Sequence, residues 1–484
     1  MYNYLGALLP ELTYRRKLLV LAICCTSLFV ASLDNTIVNL ALPSIQREFS
    51  TRVSSLQWTI DAYSLVLASL LMLSGSTADR LGRRRTFQTG LAVFTLGSLL
   101  CSLAPNVGLL IVFRMIQAVG GSMLNPVAMS IVTNTFTDPK QRARAIGIWG
   151  AVFGVSMALG PVVGGALVDA IGWRSIFWIN VPIGVAAFVL AAVFVPESRA
   201  ARARRVDPVG QSLIVVILGS LTYGIIEAPR AGWSSAQTIG CFALAVLAVA
   251  LLVPYEKRRE EPLIDPRFFS SAPFSGATLI AVCSFACMGG FLFLNAIYLQ
   301  NVRGYSPLHA GLLTLPAAAM ILALSPVSGR IVGGWGPRLP LVVGGVGIAA
   351  SALMLTWLTA HSSLGFLVLT YFVFGVGFGM VNPPITNTAV AGMPREQAGV
   401  AAAVASTSRV VGGALGVAVL GAVVTSRVSG PIETGFAAAS HAAWWIMAGC
   451  GVAVLVLGFV TTGPWARRTA ARFVEAEMLE AGAR

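Results

Sequence analysis

Three ionisable residues stand where apolar sequence should exclude them. Asp34 lies in ASLDNTIVNLALPSI, Asp61 in WTIDAYSL and Arg114 in FRMIQAVGG. Each is embedded in a run long enough to cross a bilayer. A charged side chain at the centre of such a helix costs about 2.5–3.5 kcal/mol on insertion scales, so these residues are rare and usually functional. A carboxylate alone in that setting keeps its proton, and a guanidinium beside it favours release. Shuttling a carboxylate between the two environments loads and unloads a proton. A static salt bridge between helices is the competing reading of the same residues.

The elements that hold them are membrane helices. The chain has 484 residues, 56% hydrophobic and 11% charged, against about 25% charged in a soluble globule. A span needs about 20 apolar residues. Windows of that size give about 14 candidates, starting near residues 17, 54, 86, 107, 143, 174, 209, 237, 274, 307, 339, 364, 399 and 441. An even number puts both termini on one side. Of the 33 Lys and Arg, roughly 25 fall in alternate loops, about 6 in the opposite set and about 2 inside spans, which is the positive-inside pattern. The net charge of +14 is therefore a topology signal and does not call for nucleic acid. Both termini, with Arg15, Arg16 and Lys17 at one end and Arg467, Arg468 and Arg472 at the other, are placed in the cytoplasm, as are the loops GSTADRLGRRR, DPKQRAR, ESRAARARR, YEKRREE and GRIVGGWGPR. The first apolar run is read as an uncleaved helix. Asp34, Asp61 and Arg114 each fall about seven residues inside the outer end of a span, so they are expected to converge at one depth.

Other chemistry finds no residues to carry it. The seven cysteines lie in apolar runs without a CxxC pair and read as small hydrophobes. His309, His361 and His441 sit at loop edges. No nucleophile–base pair, metal cluster or phosphate loop is present, so no enzyme, metal or cofactor is expected; the proton gradient is the energy source. An internal repeat is visible instead. GGSMLNPVAMSIVTNTFTDPKQRARAIG, from Gly120, aligns with GFGMVNPPITNTAVAGMPREQAGVAA, from Gly377. Met123, Asn125, Pro126 and Pro139 match Met380, Asn382, Pro383 and Pro394. That fits two six-span halves with an extra pair, near residues 209–254, between them. Parallel repeats of this kind mark one large class of secondary transporter.

Two stretches are more specific. Gly75-Ser-Thr-Ala-Asp79-Arg80-Leu-Gly82-Arg83-Arg84-Arg85 resembles the signature loop of the major facilitator superfamily, G-x-x-x-D-R-x-G-R-R, throughout. Small residues at Gly75 and Gly82 allow a tight turn, and Asp79 can latch a helix N-terminus or an arginine. The second half carries a worn copy from Gly329 to Arg338, in which Gly333 replaces the acid, so its latch should be weaker. In the fifth span, Gly154-Val-Ser-Met-Ala-Leu-Gly160-Pro161-Val-Val-Gly164-Gly165 resembles the motif of the exporting, antiport branches. Its glycines let helices touch and Pro161 kinks the helix. LDNTIVNLALPSI and WRSIFWINVPIG (Trp173 to Gly184) are similar to the 14-helix drug:proton antiporter family. That resemblance covers essentially the whole chain. It implies an all-α polytopic protein of the major facilitator fold, exporting amphipathic, often cationic drugs in exchange for protons and conferring antibiotic resistance. Arg114 resembles the family's fourth-span arginine of the proton-coupling motif, and its repeat partner is Tyr371.

The expected division is residues 1–205 for the first six-helix bundle, 206–260 for the extra pair and 261–484 for the second bundle and tail. Every clearly intramembrane acid is in the first half, so proton chemistry is expected there. Substrate contacts are expected from both halves, with Trp58, Tyr63, Phe291 and Tyr298 as aromatic candidates, Glu227 near the outer face, and Arg409, in ASTSRVVGG, deep in its span without an acid to pair with. A multidrug exporter in the inner (cytoplasmic) membrane, working as a monomer, is the leading reading. A dedicated exporter of one specialised metabolite or lipid is the alternative. Uptake by symport and a non-transporting membrane receptor follow. The Ala-, Gly- and Arg-rich composition points to a GC-rich bacterial gene.

Overall fold

Apolar runs of this length have one solution in lipid that satisfies every backbone group within a segment, the α-helix. The computed structural model describes residues 13–199, 207–259, 262–391, 393 and 397–482, and they contain helices and no strand. In chain order these are α1 (Tyr14–Phe49), α2 (Val53–Leu81), α3 (Arg83–Ser102), α4 (Val107–Thr135), α5 (Pro139–Ala170), a short α6 (Ser175–Trp178) running into α7 (Asn180–Phe194), α8 (Pro208–Ala231), α9 (Ala236–Lys257), α10 (Ala272–Ile297), a short α11 (Pro307–Leu313) leading into α12 (Leu315–Trp335), α13 (Arg338–Leu355), α14 (Leu364–Val390), α15 (Ala398–Arg427), α16 (Ile432–Thr461) and α17 (Pro464–Gly482). Thirteen segments among the described residues are long and apolar enough to span a membrane. The helix α3, rich in Thr, Gln and Ser, falls below that hydropathy but completes the alternation, packing along α4 and α7. Most of the ESRAARARR loop and the repeat residue Pro394 lie outside the described residues.

Helices α1–α7 pack on one another, as do α10–α16, while the α8–α9 hairpin lies across α2 of the first bundle and α15 of the second. That seat is apolar: Ile225 and Ile226 press on Ala418 and Ala422, with Trp58 and Phe242 at the edge. The Gln211 side chain also donates to the Ser69 carbonyl. A helix beyond the spans was not foreseen. Ala466, Ala470 and Phe473 form the buried stripe of α17, and Phe473 meets Phe268 edge-on at 5.9 Å. Arg467, Arg468 and Arg472 stay exposed on its other face.

The bundles meet near the ends away from the basic loops. There Gln57 of α2 donates to the Val417 and Ala418 carbonyls, both at 3.0 Å. Gln300 donates to the Leu40 carbonyl at 2.9 Å, and Asn301 to Gln46 at 3.0 Å. Closer still is the approach of α5 to α11. A Cβ on Gly165 would lie 2.5 Å from the Pro307 carbonyl oxygen, and Gly311 faces the Pro161 carbonyl in the same way. Only glycine permits backbone against backbone at that spacing.

Candidate functional site

Asp34 and Arg114 meet as expected. Arg114 Nη1 lies 2.6 Å from Asp34 Oδ2, and both side chains are buried. The other carboxylate oxygen, Oδ1, accepts from Gln117 Nε2 at 2.9 Å and from Asn180 Nδ2 at 2.8 Å. The same Arg114 nitrogen donates to Gln117 Oε1 at 2.7 Å, and Nε donates to the Thr59 carbonyl at 3.4 Å. Its guanidinium lies 4.0 Å from the centre of the Tyr63 ring. Asn180 also donates to Ser98 Oγ at 3.0 Å, which in turn donates to the Phe177 carbonyl. Side chains of α4 and α7 thus bond one carboxylate of α1, and α2 and α3 support them through Thr59, Tyr63 and Ser98. A buried ion pair is costly unless its remaining lone pairs and protons are satisfied, and here both carboxylate oxygens are.

Gln117 and Asn180 were not singled out from the sequence. Gln117 sits one helical turn after Arg114 on the same face, and Asn180 opens α7 within the WRSIFWINVPIG stretch. The depth argument for Asp34 needs a correction. The helix α1 continues to Phe49, well past the expected span end, so Asp34 is deeper along its own helix than counting suggested. The added turns carry Glu48, which accepts from Arg174 and Trp173, both at 2.6 Å.

Asp61 does not join this network. It is fully buried, yet neither oxygen has a hydrogen-bond partner. It lies one turn from Gln57 along α2, on the face that Gln57 directs toward α15. The two acids on which proton exchange was expected therefore differ completely in their surroundings.

The motif between α2 and α3 forms a single-residue break. Gly82, with φ 111°, is the whole linker between the two helices. Asp79 pairs with Arg83 at 2.9 Å. The carboxylate of Glu197 accepts from the Arg84 and Arg85 backbone N–H groups at 3.1 and 3.3 Å, capping α3 at its positive end. A Cβ on Gly82 would lie 2.6 Å from Glu197, so this glycine answers both the backbone sign and the space. Gly75 has open space around it, and Arg80 ends α2. In the α5 motif, Gly160 and Gly164 face Thr36 and Ile37 of α1, Gly154 faces Leu322 of α12, and Gly165 makes the α11 contact.

The remaining candidates fall in four places. Trp58 Nε1 donates to Glu227 at 3.2 Å, tying α2 to α8, and Glu227 sits 3.7 Å from Arg230. Tyr298, in the turn after α10, donates to the Thr359 carbonyl at 2.6 Å. Phe291 borders a cavity shared by both bundles, together with Thr36, Met157, Met288, Ile321 and Phe374. Tyr371, the repeat partner of Arg114, donates to Asn295 at 2.6 Å, a neutral pair in place of the ionic one. Arg409 lies over the Phe285 ring at 5.9 Å. It donates to Thr386 Oγ1 and makes long contacts of 3.5 Å to Ser406 Oγ and the Asn382 carbonyl. The described residues hold no cluster of three His, Cys, Asp or Glu that would suit a metal.

The profile of the Major Facilitator Superfamily matches residues 24–417. Among similar proteins, the multidrug resistance protein Stp of Mycobacterium tuberculosis is 38% identical over 87% of this chain and 78% of its own length. The tetracenomycin C resistance and export protein of Streptomyces glaucescens is 39% identical over 84% of this chain and 76% of its own. The multidrug efflux pump LfrA of Mycolicibacterium smegmatis is 35% identical over 86% and 82%. In backbone, the crystal structure of a bacterial homologue of the human lysosomal transporter Spinster, inward-facing and unoccupied, superposes with a TM-score of 0.67 at 18% identity, covering 95% of this chain and 99% of that one.

Proposed function

The chain belongs to the major facilitator superfamily, and from that premise we propose that it is a proton-coupled exporter of drugs or other toxic compounds in a bacterial cell membrane. The relatives named for multidrug resistance and efflux support export. The observation that carries proton coupling is the contrast between the two buried acids: Asp34 fully bonded to Arg114, Gln117 and Asn180, and Asp61 bonded to nothing. A carboxylate with two bonded oxygens and a guanidinium suits the ion. A buried one with no partner suits the neutral acid, because an unpaired ion there would be uncompensated. In this state Asp61 accordingly holds a proton and Asp34 does not; Asp34 takes one up when the helices shift and the Arg114 bond breaks.

The contacts at Gln57, Gln300 and Gly165 support a state closed on the outer side and accessible from the basic, cytoplasmic one. Both termini lie on that side. We divide the chain into residues 1–205, 206–260 and 261–484, a reading that the packing of the α8–α9 hairpin against α2 and α15 supports, and the protein works as a monomer without a cofactor, driven by the gradient. About 180 mV of driving force is worth roughly 4 kcal/mol per proton, enough for about a thousandfold concentration ratio.

Everted vesicles test this. With the lumen acidified and a pH-sensitive dye present, several lipophilic cations and neutral antibiotics should release protons from wild-type vesicles and none from Asp34→Asn vesicles. Normal exchange by Asp34→Asn at equal abundance would make Asp34 structural and sink the assignment. A second reading, export of a single compound, draws on the Streptomyces relative named for one antibiotic; it predicts proton release with one member of a panel.

A further inference from the structure

The shared cavity is bordered by two aromatic rings, and from them a chain of ring contacts leads away to a cation. Phe291 and Phe374 border the cavity and stack at 4.1 Å with planes 9° apart. Phe374 stacks on Phe378 at 6.1 Å, Phe378 meets Phe285 at 5.1 Å, and Arg409 covers Phe285 at 5.9 Å. The rings therefore run without a break from the cavity to a guanidinium about three turns into α15. That guanidinium is poorly satisfied. No acid lies within ion-pair distance among the described residues, Nε has no acceptor, and two of its three contacts are at 3.5 Å. Among the described residues of α10–α16, the acid is Glu433, in the first turn of α16.

Nothing nearby balances this charge from the first bundle either. Asp34 is already neutralised by Arg114, Asp61 is buried beside Gln57 at the closed end, and Glu227 is engaged by Trp58 and Arg230. Arg409 is half-buried with its Nε shielded; a cation held there without a counter-charge is destabilising, and a neutral side chain would fit the same space at less cost. A planar fork of donors left open beside an aromatic surface matches a planar anion. We infer that Arg409, at the end of the Phe291–Phe374–Phe378–Phe285 ring series, receives the acidic group of an amphipathic aromatic substrate: a carboxylate or phenolate whose rings lie along that series. This assignment rests on the export reading and narrows it, since it favours anions where the family resemblance implies cations. Export of an anion together with proton entry is also helped twice by a membrane potential that is negative inside.

The test uses the purified full-length chain and three probes: pyrenebutyrate, its uncharged amide, and ethidium. Binding is followed by fluorescence anisotropy in detergent, and transport in proteoliposomes under an imposed proton gradient. Wild type should bind and move pyrenebutyrate in preference to the amide. Arg409→Gln should lower that preference by about tenfold or more, the range of a lost charge-assisted bond, and Arg409→Lys should restore part of it. Ethidium gives the internal control, because misfolding lowers all three probes together. Equal handling of acid and amide by wild type, or a uniform loss across probes in Arg409→Gln while Arg409→Lys stays well folded and equally inactive, overturns the assignment. If wild type prefers the acid in binding, loses that in Arg409→Gln, and moves no probe, export fails while the anion site stands.

Discussion

Two arginines stand well inside membrane-spanning helices, Arg114 buried in the first bundle and Arg409 half-buried in the second, and their surroundings are opposite. Arg114 has a carboxylate at 2.6 Å, an amide oxygen at 2.7 Å and a tyrosine ring beneath it. Arg409 has a hydroxyl, two distant oxygens and a half-covered phenylalanine. The repeat relation sharpens the difference, because the second bundle places Tyr371 and Asn295 where the first places Arg114. One cation is built into the protein; the other awaits a partner. The first suits a group that must hold and release a proton on a fixed scaffold, and the second suits a group that must meet something arriving from outside.

The largest effect expected on this comparison is at Arg114. Arg114→Gln leaves Asp34 buried without its counter-ion, which should cost about 3–5 kcal/mol and show as a marked fall in the melting temperature in detergent. Adding Asp34→Asn to the same chain should recover a good part of that loss; strict additivity of the two would mean the pair is not an energetic unit. Removing one supporting amide, by Gln117→Ala or Asn180→Ala, should cost about 1–3 kcal/mol by the same measurement, as for any buried acceptor stripped of a donor. Arg409 should respond with the opposite sign. Arg409→Met removes an unpaired charge and fills the space with an apolar chain, so it should raise stability by about 1 kcal/mol; destabilisation by that amount would show that Arg409 is already compensated. Smallest is Asp79→Asn. Its pair with Arg83 is partly exposed and one helical turn apart, worth about 0.3–0.5 kcal/mol, so a larger shift would reveal a partner beyond Arg83.

The spans and the Asp34–Arg114 pair were legible in the sequence. Each depends on a charge or an apolar run that no soluble context explains. Gln117 and Asn180 lay inside stretches already under scrutiny, but an uncharged amide in a membrane helix gives a weak signal until its partner is known. Glu197 could not be seen at all, since it reaches α3 across 113 residues of chain and reads locally as one more acid in a basic loop. Asp61 shows the opposite failure. Its type and depth matched Asp34 and Arg114, and yet the face of α2 that carries it turns to another bundle. Counting residues placed Asp61 and Arg114 along their helices but set Asp34 too shallow, because α1 runs on to Phe49; the side toward which a helix turns follows from its neighbours. The tail helix α17 had its stripe of Ala466, Ala470 and Phe473 in plain view, but too little apolar length to stand out beside true spans.

The glycine contacts between α5 and α11 have a consequence for how this gene can drift. Any change that replaces a glycine adds a side chain, and at Gly165 and Gly311 there is backbone where that side chain would go. The outward face of α9, with Ile239, Val246 and Leu247 exposed, accepts any residue that lipid accepts. A random mutagenesis selection for lost export should therefore return changes concentrated on the α5–α11 contact and almost none on α9. A population under such selection would carry a nearly frozen hinge line beside a freely varying outer helix.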